Sequence, residues 1–75
     1  MQVATITPVM KFVGAKLRQL RENRFISQRD LAKLADVSPT TIMQLETGQN
    51  TNPRLSTIRK IGEALGVDPN ELVER

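Results

Sequence analysis

Thr40, Thr41 and Gln44 carry hydrogen-bonding groups without ionic charge, and they share the segment PTTIMQLET, residues 39 to 47, with the apolar Ile42 and Leu45. Coiled as a helix, that segment turns Ile42 and Leu45 one way and the three polar residues the other. An amphipathic helix ordinarily shows charge to water, whereas hydroxyls and an amide suit the edges of bases. A Gln side chain can pair with N6 and N7 of adenine, and a Thr can exchange a hydrogen bond or rest its methyl on that of thymine. A merely solvated face could use the same residue types, so the surrounding elements carry the decision.

Covalent chemistry has little to work with. The 75 residues include no Cys, His, Trp or Tyr, which removes the thiol nucleophile, the imidazole base, the usual zinc ligands and any disulfide framework. The carboxylates are scattered rather than paired, with no spacing suited to Mg²⁺. A chain this short makes one domain without room for a large active-site cavity. Neither an enzyme nor a cofactor or metal is expected. The opening MQVATITPVMKFVG lacks a basic stretch before its apolar residues and is interrupted by Thr and Pro. No signal peptide or membrane span is therefore expected, and the absence of Cys fits a reducing cytoplasm.

Two capped helices must position the polar trio. Ser27 can cap the first, with Asp30 three residues on and Leu31, Leu34 and Ala35 on one face, while Ala32 is small enough for a close crossing. Ser38 caps the second and Pro39 occupies its first position, where a missing N–H costs nothing; Gly48 ends it. This is a helix-turn-helix pattern. Upstream, Thr7-Pro8 can start a helix through about Asn23 that buries Val13, Leu17 and Leu20. Residues 1 to 6 are either frayed or a short strand pairing in a dimer. Downstream, a fourth helix starts within residues 54 to 57, buries Ile58, Ile61 and Leu65 and stops at Gly66; a fifth opens at Asp68-Pro69 and carries Leu72 and Val73. The expectation is a compact all-α bundle of five short helices, helices 2 and 3 forming the helix-turn-helix, with no strand and no internal repeat.

From Val13-Gly14 onward, LRQLREN at 17 to 23, SQRDLA at 27 to 32, VSPTTIMQLETG at 37 to 48 and IRKIGEALGVDPNELV at 58 to 73 resemble the Cro/repressor-type (Xre) helix-turn-helix family of bacterial and phage regulators. About sixty of the 75 residues are covered. The resemblance implies a lambda-repressor-like DNA-binding domain over residues 13 to 75, with 1 to 12 as an extension or the start of the first helix. Asp36 departs from the pattern, since the family most often has Gly in that turn; aspartate tolerates a left-handed backbone better than most residues.

Site roles come partly from chemistry and partly from the resemblance. Gln28 is the first residue after its cap, where its amide and the backbone N–H groups can face an anion; relatives imply that it contacts phosphate and braces the recognition helix. Thr40 and Gln44 match base-reading positions of the family, with Thr41 adjacent. Pro39 stands where a polar base-contacting side chain is common and can offer only apolar contact. The polar loop at 49 to 54 suits a sugar-phosphate strand, and Asn50, Asn52 and Arg54, with Ser38, are assigned to phosphate. Arg21 and Glu46 lie on faces otherwise given to the core, and the resemblance implies that they form a structural ion pair joining helix one to the recognition helix.

Charge is unevenly placed. Residues 1 to 60 hold ten Lys/Arg and four Asp/Glu, net +6, whereas residues 61 to 75 hold one Arg and four acids, net −3. A basic body suits phosphate, and the acidic end should point away from it. One recognition helix touches too few base pairs for useful specificity. A homodimer is therefore expected, with recognition helices about 34 Å apart on a pseudo-palindromic double-stranded DNA operator. Val67, Leu72 and Val73 are assigned to its interface, although they could equally complete the monomer's core. Two functions fit: a sequence-specific transcriptional regulator, whether phage repressor, restriction-modification controller or antitoxin, or a protein-interaction module whose main partner is a protein such as a toxin.

Overall fold

Leu17, Leu31, Ile42, Leu45, Ile61 and Leu72 are the largest fully buried side chains, and they come from five successive segments of the chain. A computed structural model describes residues 11–74. In order these form β1 (Lys11–Phe12), α1 (Gly14–Asn23), α2 (Gln28–Ala35), α3 (Pro39–Thr47), α4 (Leu55–Leu65), one 3-10 turn (Pro69–Leu72) and β2 (Val73–Glu74). α2 packs against both α3 and α4, α1 against α3, and the 3-10 turn closes over α4 and α1. Phe12, Ala32, Ala35, Ile58 and Leu65 complete the core.

The all-α expectation holds, with four α-helices in place of five among the described residues. Asp68 caps the segment after α4, its carboxylate accepting from the Asn70 N–H at 2.9 Å, but the helix ends after Leu72 as a single 3-10 turn. Strand pairing stops it there. Val73 and Glu74 are extended and pair antiparallel with Phe12 and Lys11, and the Val13 N–H donates to the Leu72 carbonyl at 2.9 Å. This short ladder pairs backbone groups at both ends of the domain that would otherwise need water.

The same ladder shortens helix one. Its start at Thr7-Pro8 falls outside the described residues, and the helix begins at Gly14 after an extended Val13. Leu17 is buried and Leu20 half-buried on its inner face. A β-carbon at Gly14 would run into the Leu45 carbonyl, so the close approach of α1 to the end of α3 needs a residue without one. In α2 the expected stripe is rotated: Leu31, Ala32 and Ala35 are buried, while Leu34 is 63% exposed. α3 and α4 both press on this helix, so its buried face centres between Leu31 and Ala32 and turns Leu34 outward.

Candidate nucleic-acid interface

The turn between α2 and α3 is built from local chemistry. Ser27 Oγ accepts from the Asp30 N–H at 2.9 Å, fixing the start of α2. α2 ends at Asp36, which is left-handed at φ 57° and ψ 47°, and the Val37 N–H returns to the Ala32 carbonyl at 3.0 Å. That closure pairs an otherwise unpaired helix-end carbonyl and aims the chain into the next cap. Ser38 then receives the Thr41 N–H at 3.1 Å, Pro39 takes the first helical position, and Gly48 closes α3 at φ 85°.

With Ile42 and Leu45 buried, α3 turns the opposite side out. Pro39, Thr40, Met43 and Thr47 are exposed, and Gln44 is half-buried. Thr41 lies on the flank, half-buried, its hydroxyl 2.9 Å from that of Ser38. Both hydroxyls thus serve the cap. Met43 and Thr47 belong to the outward face and were not among the residues assigned from sequence. A helical projection through Ile42 and Leu45, advancing about 100° per residue, is the signal that finds them.

Three side chains tie α3 to α1 and α2. Arg21 reaches from α1 to Glu46 of α3 with Nε to Oε2 at 2.6 Å and Nη2 to Oε1 at 3.0 Å, and its Nη1 donates to the Ile26 carbonyl at 2.7 Å. Gln28, at the start of α2, donates its amide to Glu46 Oε1 at 3.0 Å. One amide hydrogen of Gln28 remains for an anion. The Glu46 side chain is 3% exposed and that of Arg21 12%. Burial pushes the Glu46 carboxyl upward, but the hydrogen bonds from Arg21 and Gln28 and the guanidinium charge outweigh it and hold the group below the usual carboxylate range. The hydrogen bond to Glu46 likewise raises Arg21, against the opposing effect of its own burial.

After Gly48 the loop is held in shape by its own groups. The Asn50 N–H donates to the Gln44 carbonyl at 3.1 Å, and Asn50 Oδ1 accepts from the Asn52 N–H at 3.0 Å, which leaves the Asn50 amide hydrogens as donors. Asn52 and Arg54 are exposed, Arg54 at the N-cap of α4. The structure thus joins Arg21, Gln28 and Glu46 in one network, Ser38 with Thr41, and Asn50 with Asn52. Arg24, which sequence reasoning passed over, ties two helix ends together by donating to the Leu65 carbonyl at 2.8 Å and the Leu20 carbonyl at 2.9 Å. Leu72 of the expected dimer interface is fully buried, because the ladder folds it into the monomer's core; Val67 and Val73 are half-buried against that core. Among the described residues no cluster of His, Cys, Asp or Glu is arranged to hold a metal ion, and no helix is long and apolar enough to cross a membrane.

Two capped helices locked at a tight left-handed turn, the second showing an uncharged outward face, define a helix-turn-helix. The family model described as a helix-turn-helix domain matches residues 13–74, and the chain belongs to this family, in its Cro/repressor-type branch. It is 40% identical over 62 residues to the control protein C.BamHI of Bacillus amyloliquefaciens, covering 81% of this chain and 75% of that protein. It is 38% identical over 58 residues to the HTH-type transcriptional repressor RghR of Bacillus subtilis, covering 77% of this chain and 43% of that one. The chain therefore spans less than half the length of RghR. Its fold superposes on the crystal structure of SinR, a master regulator for biofilm formation, in complex with DNA, with a TM-score of 0.76 and 27% identity over 79% of this chain and 94% of that one.

Proposed function

We propose that the protein is a sequence-specific double-stranded DNA-binding transcriptional regulator that lays α3 in the major groove. The observation that carries this reading is the outward face of α3, uncharged and held by the Arg21–Glu46–Gln28 network. A rigid mount matters because base contacts discriminate only when donors and acceptors meet within hydrogen-bond geometry. Thr40 and Gln44 read base edges and Pro39 adds apolar contact, whereas Thr41, assigned to the bases from sequence, sits on the flank with its hydroxyl turned to the Ser38 cap. Gln28, Asn50, Asn52 and Arg54 hold the phosphate strand, and the Ser38 hydroxyl is near it while capping α3. Regulation comes from occupying an operator, work done in the cytoplasm and without bond-making chemistry.

The regulator acts as a homodimer. Leu55, 60% exposed, sits beside Ile58, Pro69, Asn70 and Val73, which together line a shallow apolar depression. Leu55 directly succeeds Arg54, so this surface adjoins the loop assigned to phosphate. A two-fold partner seated there brings Leu55 and Val73 of each copy to a shared interface. Val73 keeps its assigned role, Val67 packs against the monomer's own core, and Leu55 and Pro69 take the place of the buried Leu72.

Selection of bound sequences from random duplex DNA, at a stated salt concentration, tests both statements. A two-fold symmetric motif with half-sites roughly 10 bp apart is expected. Recovery of no motif would overturn the operator reading, and a motif without symmetry would overturn the dimer.

A further inference from the structure

On α3, Thr40 and Thr47 fall directly opposite the buried Ile42 and Leu45, and Met43 and Gln44 flank that ridge on either side, about 100° apart. The outward face thus carries two long side chains in matched positions, one an amide and one a thioether. Met43 is 41% exposed. A single exposed apolar residue is ordinary on a protein surface, and it is the placement of Met43 between Thr40 and Thr47, three residues after one and four before the other, that gives it a function.

We propose that Met43 is a specificity-determining residue that reads the C5-methyl group of a thymine. The inference rests on the operator reading. In the major groove the four base pairs offer donors and acceptors, and the thymine methyl is the apolar group among them. An unbranched thioether with three rotatable bonds can settle on that methyl, and its polarizable sulfur favours close contact. Gln44, on the other flank, supplies the complementary hydrogen-bond readout. The two side chains would then read neighbouring base pairs by different chemistry, one apolar and one polar.

Replacing thymine by uracil removes the methyl and nothing else, so the selected operator is titrated with each thymine changed to uracil in turn, against the wild type, Met43→Ala and Met43→Leu. Burying one methyl against the thioether corresponds to about fourfold in affinity. The wild type is expected to lose about that factor at one thymine of each half-site, Met43→Leu to keep the loss, and Met43→Ala to bind more weakly and lose nothing further there. Thermal melting confirms that each variant is folded. Identical uracil profiles for wild type and Met43→Ala, or a wild type indifferent to every uracil, would overturn the assignment while leaving the operator reading intact. A protein that selects no sequence overturns both.

Discussion

Arg21 and Glu46, twenty-five residues apart, form a two-pronged ion pair with contacts of 2.6 and 3.0 Å inside the seam between α1 and α3. Each charge is withdrawn from water, and each is acceptable there because the other and Gln28 or the Ile26 carbonyl take up its hydrogen bonds. Arg21→Ala strands a buried carboxylate and should cost about 3–5 kcal/mol in chemical denaturation. Arg21→Lys keeps the charge without the planar fork and should fall in between. Replacing both, as Arg21→Met with Glu46→Leu, should cost much less than the single change, since no unpaired charge is left. A double variant as unstable as Arg21→Ala would refute the buried-pair account.

Glu46 also sets an acid limit. Its folded-state pKa lies below its unfolded value, so the folded protein binds fewer protons and the linked stability is present above the unfolded value. That contribution is lost as pH falls through the depressed folded value. Unfolding free energy measured from about pH 6 downward should drop once pH falls below the ordinary glutamate value, and Glu46→Gln should show a shallower drop from a lower starting stability. Equal slopes would assign the acid sensitivity to other carboxylates.

Much of this arrangement was legible because cap chemistry is local. Ser27, Ser38-Pro39, Gly48 and Gly66 mark helix ends through groups one to three residues away, and the structure places the ends there. The pairing of Lys11–Phe12 with Val73–Glu74 was not legible. Two residues per strand carry no alternation, and the ladder exists because the ends of the domain meet in space. Leu34 turns outward because the inner face of α2 depends on what presses on both its sides, and the choice left open for Leu72, between core and interface, falls to the core because of where the chain turns next. At the site, the Arg21–Glu46 pair came from the family resemblance, while Met43 and Thr47 could have been found by projecting α3 around Ile42 and Leu45.

Phe25 and Asp36 hold positive φ angles of 56° and 57° without being glycine. Left-handed backbone costs an ordinary L-residue about 1–2 kcal/mol, less for aspartate. Phe25 is 97% exposed, so its ring offsets none of that by packing. Phe25→Gly should therefore stabilise the domain by about 1 kcal/mol after the entropic cost of glycine, a rise of roughly 4–8 °C in Tm. Asp36→Gly should do the same to a smaller extent. Phe25→Ala, which keeps the strain, serves as the control; an equal gain there would show that backbone strain is not the cause.

Base readout and phosphate contact separate by mutation. Gln44→Ala should relax operator choice at one position of each half-site by about 1–3 kcal/mol, with other positions unchanged. Arg54→Ala should weaken every sequence alike and reduce the slope of log affinity against log salt by about 1 per contact. Titrations of operator and scrambled duplex across a salt series measure both. Unchanged discrimination in Gln44→Ala would remove that residue from the reading set, and an unchanged salt slope in Arg54→Ala would place its guanidinium away from phosphate.

Leu55→Glu tests the dimer without threatening the fold, because a side chain 60% exposed contributes little to the core. Sedimentation of the wild type should show a concentration-dependent monomer–dimer equilibrium, and the variant should remain a monomer because two carboxylates would face each other across the two-fold axis. On DNA the consequence is a loss of cooperation between half-sites. The variant should bind a full operator no more tightly per half-site than it binds an isolated half-site, while the wild type gains from the second copy. A variant that still dimerises and binds the full operator as the wild type does would move the interface away from Leu55, Pro69 and Val73.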